Sequence, residues 1–270
     1  MYKLIAMDMD GTLLRDDKSI SERTKNVIKA AKAKGVKVVL ASGRSIDGIY
    51  GYLKELDLIS DEDYVLSYNG ALIQNTETKE IISFKALSGK DAKILYKVSK
   101  DIGVNILGIS LKNGLFTPKR TQYSQQVADR NGLKLTEKEF DTVDEDEEIG
   151  KFMMIDDPKV LNKGIELIPE DLYKRYSILR SNAAFLEFVN KDCNKGAGVK
   201  TLAEYLGIDK SEIICVGDEG NDKHMIEYAG LGVAMGNATE EIKSIAQYVT
   251  LSNEEDGVAH VIEKFILEDN

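Results

Sequence analysis

The chain has 270 residues, with 36 Lys and Arg against 46 Asp and Glu, a net charge of −10 and a pI near 4.9. That charge repels nucleic acid and anionic membrane surfaces, and a hydrophobic content of 43% excludes a disordered chain. Its longest apolar runs, such as Val38-Val39-Leu40-Ala41, are strand-sized rather than membrane-sized. Two cysteines, Cys193 and Cys215, make neither a disulfide framework nor a zinc pattern. A reducing cytoplasm is therefore the expected location, and the opening Lys3–Met7 reads as a strand rather than a signal peptide.

The first seventy residues alternate strand and helix. Lys3–Met7 is a short apolar run ending at a carboxylate, as a buried parallel strand would be. Glu22–Lys34 is predicted as a helix with Ser21 as N-cap and Gly35 as its stop. Val36–Ala41, Ile46–Leu58 and Tyr64–Ser67 follow as strand, helix and strand, the pattern of a parallel sheet with helices on its faces. After Asn69-Gly70 the pattern changes. Leu72–Gln74 and Glu80–Phe84 read as a hairpin, Asp91–Ile102 as a helix, and two strands flank Lys112-Asn113-Gly114. Gln122–Asn131 reads as a helix and the acidic Thr136–Glu148 as a solvated loop. Phe152–Ile155 is a strand, Asp157-Pro158 opens a helix, and Ser177–Leu179 pairs with Phe185–Val189. From Lys195 strand–helix alternation returns. The expected fold class is thus α/β: a Rossmann-like parallel-sheet core, residues 1–84 and 190–270, split by an α+β insertion, residues 85–189.

The chemistry-bearing residues gather at strand ends of that core, where open α/β sheets bind ligands. Asp8-Met9-Asp10-Gly11-Thr12 ends the first strand. In an extended backbone Asp8 and Asp10 point the same way. Two such carboxylates need a cation, for which Mg²⁺ is the economical choice, or a shared proton. A merely acidic surface turn would present the same residues. Val39-Leu40-Ala41 runs into Ser42-Gly43-Arg44, where a hydroxyl and an N–H beside glycine suit a phosphate. Ile214-Cys215-Val216 runs into Gly217-Asp218-Glu219-Gly220-Asn221-Asp222, a second acidic cluster, and Lys195 begins the helix after the insertion. Each alone is an ordinary loop; the four together, in this order on one sheet, form a site.

This combination resembles the haloacid dehalogenase hydrolase superfamily over essentially the whole chain. Tyr68-Asn69-Gly70-Ala71, Asn194-Lys195-Gly196, Asn221-Asp222 and Gly232–Ala238 resemble its Cof-type branch, and Met153-Met154-Ile155-Asp156 with Phe185-Leu186-Glu187 resemble YidA-type sugar phosphatases within it. Gly220 stands where Glu is frequent. The resemblance implies a C2-type cap domain and a phosphatase acting on small phosphorylated metabolites, sugar phosphates first, through an aspartyl-phosphate. It implies Asp8 as nucleophile, Asp10 as general acid and base, and Mg²⁺ held by Asp8, the Asp10 main-chain carbonyl and Asp218. Met9 and Gly43 through their N–H groups, and Ser42, Lys195 and Asn221 through their side chains, would hold the phosphoryl oxygens, with Asp222 orienting Lys195 or a metal-bound water. A phosphomutase or other phosphoryl transferase on the same core, and a non-catalytic phospho-ligand binding protein, are the alternatives. A monomer or homodimer with no nucleic-acid or membrane partner is expected. Substrate choice is expected from the insertion, with Arg180, Asn182 and Glu187 as candidates; an inward Glu187 would be paired with a cation or would contact substrate hydroxyls.

Overall fold

A computed structural model describes residues 1–268. The chain divides into two compact units, Met1–Phe84 with the chain from Asn194 onward, and Lys85–Cys193.

The first unit is built on an eight-stranded sheet. Its strands are β1 (Leu4–Met7), β2 (Lys37–Ala41), β3 (Tyr64–Ser67), β4 (Leu72–Asn75) and β5 (Ile81–Phe84), before the insertion. Helices α1 (Glu22–Ala33) and α2 (Ile46–Glu55) connect the first three. Ser21 caps α1 by accepting the Thr24 N–H, and Ser45 caps α2 by accepting the Gly48 N–H.

The inserted unit contains α3 (Gly89–Ile102), β6 (Asn105–Ser110), β7 (Gly114–Thr117), α4 (Gln122–Asn131), β8 (Leu135–Glu137), β9 (Ile149–Ile155), α5 (Pro158–Glu166), α6 (Glu170–Arg175), β10 (Tyr176–Asn182) and β11 (Phe185–Asn190). The first unit then resumes with α7 (Lys195–Leu206), β12 (Ile213–Gly217), α8 (Lys223–Tyr228), β13 (Leu231–Ala234), α9 (Glu240–Ile245), β14 (Tyr248–Val249) and α10 (Gly257–Ile262).

The strand order is β14-β13-β12-β1-β2-β3-β4-β5. From β14 to β3 neighbours run parallel, and β4 and β5 are antiparallel additions. The chain steps from β1 outward to β2 and β3, then returns on the other flank of β1 as β12. That change of direction beside β1 opens the crevice in which such sheets bind ligands. Alternation along β1 explains why its run is apolar throughout. Ile5 and Met7 pack with Val27, Ile28, Ile49 and Leu53, while Leu4 and Ala6 pack with Val199, Leu202 and Met225.

The inserted unit carries a six-stranded sheet in the order β10-β11-β9-β6-β7-β8, antiparallel except between β7 and β8. Its core joins Leu95, Phe116, Phe140, Phe152, Phe188 and Tyr176. Two expectations change here. The Thr136–Glu148 stretch is not simply a solvated loop: Leu135–Glu137 adds an edge strand, and Phe140 and Val143 are buried in the core. A few apolar residues spaced through an acidic run were enough to anchor it. Strand β9 begins at Ile149 rather than Phe152, because Lys151 is buried and bonded to Glu187 at 2.9 Å. That pair accounts for the inward carboxylate of Glu187, a charge stable in the interior only with a partner. The first unit resumes at Asn194: β11 runs to Asn190, and the Cys193 N–H bonds back to the Asn190 carbonyl. Arg180 and Asn182 serve their own hairpin turn: the Arg180 guanidinium donates to the Asn182 and Ala183 carbonyls and to Asn162, and Asn182 accepts the Ala184 N–H.

At the start of α3, Ser88 and Asp91 form a reciprocal cap, and Asp91 also accepts from Arg175 and the Tyr176 hydroxyl. Burial raises the Asp91 carboxyl, but the bonds from Ser88, Tyr176 and Arg175 outweigh it and hold the group below its ordinary range. Ser88→Ala is expected to destabilise the protein by about 1 kcal/mol, read from the denaturant midpoint. An unchanged midpoint would assign the cap no energetic role.

Candidate active site

Asp8 follows the last residue of β1 and stays tied to β12, its N–H donating to the Val216 carbonyl at 3.0 Å. Continuing the alternation of Leu4 and Ala6, its side chain meets the helix α7, whose first residue is Lys195. The Lys195 ammonium is fully buried and bonds Asp8 at 2.5 Å and Asp222 at 2.6 Å. Although burial opposes its charge, these two carboxylates hold Lys195 above the ordinary lysine range. Asp222 is itself fully buried: one oxygen faces Lys195, and the other accepts the Asp218 and Glu219 N–H groups at 2.9 and 3.1 Å. Asp222 therefore fixes the lysine and the loop after β12 in one piece.

Asp218 lies on that loop. Its carboxylate accepts the Thr12 hydroxyl at 2.7 Å, and it has no ion-pair partner among the described residues. Gly11, at φ +82°, lets the chain turn beneath it; a Cβ there would collide with the Asp218 carboxylate. Carboxylate oxygens of Asp8, Asp218 and Asp222 lie within 4.8 Å of one another. Burial pushes the Asp8 carboxyl up to about 7, with Lys195 opposing and Asp222 adding. Burial and then the Asp8 charge push Asp218 up to about 8. A buried cluster of oxygen ligands with more acidic groups than cations fits a hard divalent ion. Since Asp222 is saturated by Lys195 and two N–H groups, Asp8 and Asp218 are the side chains that could hold it.

Asp10 lies beyond the end of β1. The strand ends at Met7 and the chain turns, with Thr12 and Leu14 N–H groups bonding back to the Met9 carbonyl. The i, i+2 rule of extended backbone does not apply beyond Met7. The Asp10 carboxylate instead receives Arg44 in a fork, Nε at 2.9 Å and Nη2 at 2.8 Å, and Lys18 at 2.9 Å. Arg44 also lies over the Tyr52 ring, 5.4 Å from its centre. Arg44 stood in the Ser42-Gly43-Arg44 motif without a role; only the fold shows that it and Lys18 meet Asp10.

Ser42, Gly43 and Asn221 come together around a residue that sequence reasoning quoted only as part of a resemblance, Asn69. Ser42 is buried, its hydroxyl accepting the Arg44 N–H at 3.2 Å and its carbonyl accepting the Asn69 N–H at 2.9 Å. The Asn221 amide donates to Asn69 Oδ1 at 3.1 Å. Met9 is fully buried, and its N–H is turned to the Asp8 carboxylate. Across the site, the Asn237 amide donates to the Gly11 carbonyl at 2.8 Å and anchors the turn. His224 and His260 lie elsewhere, His224 exposed near Glu227 and His260 against the Tyr248 hydroxyl at 2.9 Å. No helix among the described residues is long and apolar enough to cross a membrane.

Taken together, the arrangement offers a buried carboxylate gripped by a lysine, a cation-ready acidic cluster, and a ring of hydroxyl and amide groups suited to an anion. Comparison with known proteins agrees in kind. Residues 5–262 match the family model for haloacid dehalogenase-like hydrolases. The chain is 44% identical over 272 residues, 99% of each chain, to the Bacillus subtilis protein YxeH, whose name places it provisionally among the phosphatases. A crystal structure of a haloacid dehalogenase-like hydrolase from Bacteroides thetaiotaomicron superposes with a TM-score of 0.89 at 35% identity, covering 98% of this chain and 99% of the other. A sugar phosphatase of HAD subclass IIB superposes with a TM-score of 0.79 at 26% identity, covering 97% and 98%.

Proposed function

The chain belongs to the haloacid dehalogenase-like hydrolases, and from that premise we propose that it is a Mg²⁺-dependent phosphatase of small phosphomonoesters, sugar phosphates first, working through a phosphoaspartate at Asp8. The observation that carries this reading is the Asp8 carboxylate, buried at a strand end and held at 2.5 Å by Lys195 beside Asp218. A buried carboxylate fixed by a cation is aimed rather than solvated, as an in-line nucleophile needs to be.

In the first half-reaction an Asp8 oxygen forms a bond to phosphorus while the ester P–O bond breaks, and Asp10 gives its proton to the departing alcohol oxygen. In the second, Asp10 takes a proton from water, the water oxygen bonds to phosphorus, and the Asp8–phosphorus bond breaks to release phosphate. Arg44 and Lys18 keep the Asp10 side chain in one orientation between these steps. Lys195, the Ser42 hydroxyl, the Gly43 and Met9 N–H groups and the Asn221 amide bind the phosphoryl oxygens and hold them in line. Bound between Asp8, Asp218 and the Asp10 carbonyl, Mg²⁺ would neutralise phosphoryl charge and offset the repulsion between the two carboxylates. Cations set inside the site thus supply the positive field that the net charge of −10 denies at the surface. The likeness to a subclass IIB sugar phosphatase supports sugar phosphates as the substrate class.

The test is a panel of phosphomonoesters, sugar phosphates among them, assayed with MgCl₂ and with excess EDTA. Hydrolysis is expected with the metal, with loss in EDTA and recovery on adding Mg²⁺ back. Activity undiminished by EDTA would remove the metal from the reading, and no turnover of any ester would remove the phosphatase itself.

A further inference from the structure

Between β3 and β4 the backbone takes three left-handed residues in succession: Tyr68 at φ 51°, Asn69 at 56° and Gly70 at 84°. Asparagine and glycine tolerate that region, but a buried tyrosine there is an outlier. Such strain persists only where the surroundings impose it, and the surroundings here are specific. The Tyr68 N–H donates to the Arg44 carbonyl at 3.0 Å and the Asn69 N–H to the Ser42 carbonyl at 2.9 Å. The Asn69 amide is flush against Gly43, where a Cβ would sit 3.1 Å from Asn69 Nδ2. Gly70 is pressed on α7 beside Lys195: a Cβ on it would lie 2.7 Å from the carbonyl of Asn194, the residue that caps that helix. Finally, Asn69 Oδ1 accepts the Asn221 amide at 3.1 Å.

We infer that Asn69 is a positioning residue of the phosphate site, one side chain that sets the Asn221 amide and the Ser42–Gly43 loop against each other. This rests on the phosphate-holding roles proposed above for Ser42, Gly43 and Asn221. The chemistry is that of an amide pair. Asn221 carries one acceptor and two donors, and donating one hydrogen to Asn69 Oδ1 decides which end of its amide is turned to the neighbouring loop. Without Asn69 the Asn221 amide is free to rotate, and the backbone of Ser42 and Gly43 loses the wall behind it.

Asn69→Gly tests this cleanly, because glycine keeps the left-handed backbone and removes only the amide. With inorganic phosphate as inhibitor and one phosphomonoester as substrate, this variant is expected to raise the phosphate inhibition constant and lower kcat/KM, each by roughly ten-fold or more, at a melting temperature close to wild type. Asn221→Ala is expected to do the same, and the double variant to be no worse than Asn221→Ala by more than about two-fold, since both changes break one interaction. A purely structural role would give effects that multiply in the double variant, and that result overturns the inference. So does Asn69→Gly at wild-type values while Asn221→Ala is impaired. Asn221→Ala at wild-type activity would overturn the phosphate-site reading and this inference together. Should Asn69→Gly fail to fold, Asn69→Ala is read only within the cycle with Asn221→Ala, where the strain its Cβ adds at this left-handed position is common to both backgrounds and cancels.

Discussion

Asp8→Asn is expected to lower kcat by roughly 10⁴-fold or more on every phosphomonoester, as loss of a covalent nucleophile does, while leaving the protein folded. The argument runs from charge and geometry. Asparagine has the same shape and still offers Lys195 an acceptor oxygen, so the 2.5 Å contact has a neutral substitute. What disappears is the carboxylate that attacks phosphorus, together with a negative charge that raises the Asp218 carboxyl. The variant should therefore melt no lower than the metal-free wild type, and acid-quenched protein should carry no phosphate where wild type carries it on an acyl linkage. Retention of a tenth of wild-type kcat by a verified Asp8→Asn preparation would assign the nucleophile elsewhere. A variant that lost both activity and fold would leave Asp8 a structural residue, which the surviving bonds of Lys195 to Asp222 argue against.

The parts of this site legible in the sequence are those whose position is set by the strand that delivers them. Asp8, Ser42 and Asp218 each follow a short apolar run, and a run buried on both faces predicts a parallel strand and hence a shared end. Lys195 was legible for a related reason, as the first residue of a helix after the insertion. What could not be read are pairings between segments with no common periodicity. Asp10 meets Arg44 and Lys18 after the chain has turned beyond Met7, and a turn has no periodicity from which such partners could be read. Asn69 stands in the sequence only as part of a resemblance; its contacts with Ser42, Gly43 and Asn221 exist only once β2, β3 and β12 lie in one sheet.

In the insertion the same limit appears as a mistaken polarity. Lys151 interrupts an apolar run and so delays the predicted start of β9, yet it is buried because Glu187 lies two strand positions away on β11. A sequence window holding one of these charges cannot show the other, 36 residues on. Phe140 makes the complementary point. Acidic neighbours conceal a single aromatic whose ring packs on Phe116 and Phe152, 5.0 and 5.8 Å between centres. Hydropathy averaged over the segment reports the solvent-facing majority, whereas the core is decided by the few residues that turn inward.

Stability of the metal-free protein is expected to fall as pH rises from about 4 to about 8, and added Mg²⁺ to stabilise it more at the upper end. Burial raises the Asp8 carboxyl from 3.8 to about 7 and the Asp218 carboxyl from 3.8 to about 8. A group raised in the folded state binds its proton more tightly there than in the unfolded chain. Its contribution is fully present below the ordinary value and is lost as pH rises through 7 and 8. The two groups share much of the same repulsion, so their contributions do not simply add. Above that window both carboxylates are ionised in a buried site, where a divalent cation binds the folded chain and not the unfolded one. Melting curves in EDTA and in excess MgCl₂, taken across this range, should therefore diverge with pH. Asp218→Asn removes one of the two charges, and in EDTA it should gain stability over wild type at pH 8.5 but not at pH 5. Parallel curves for wild type with and without Mg²⁺, or an Asp218→Asn variant that tracks wild type at both ends, would mean that the acidic cluster is neither charge-strained nor the place where the metal binds.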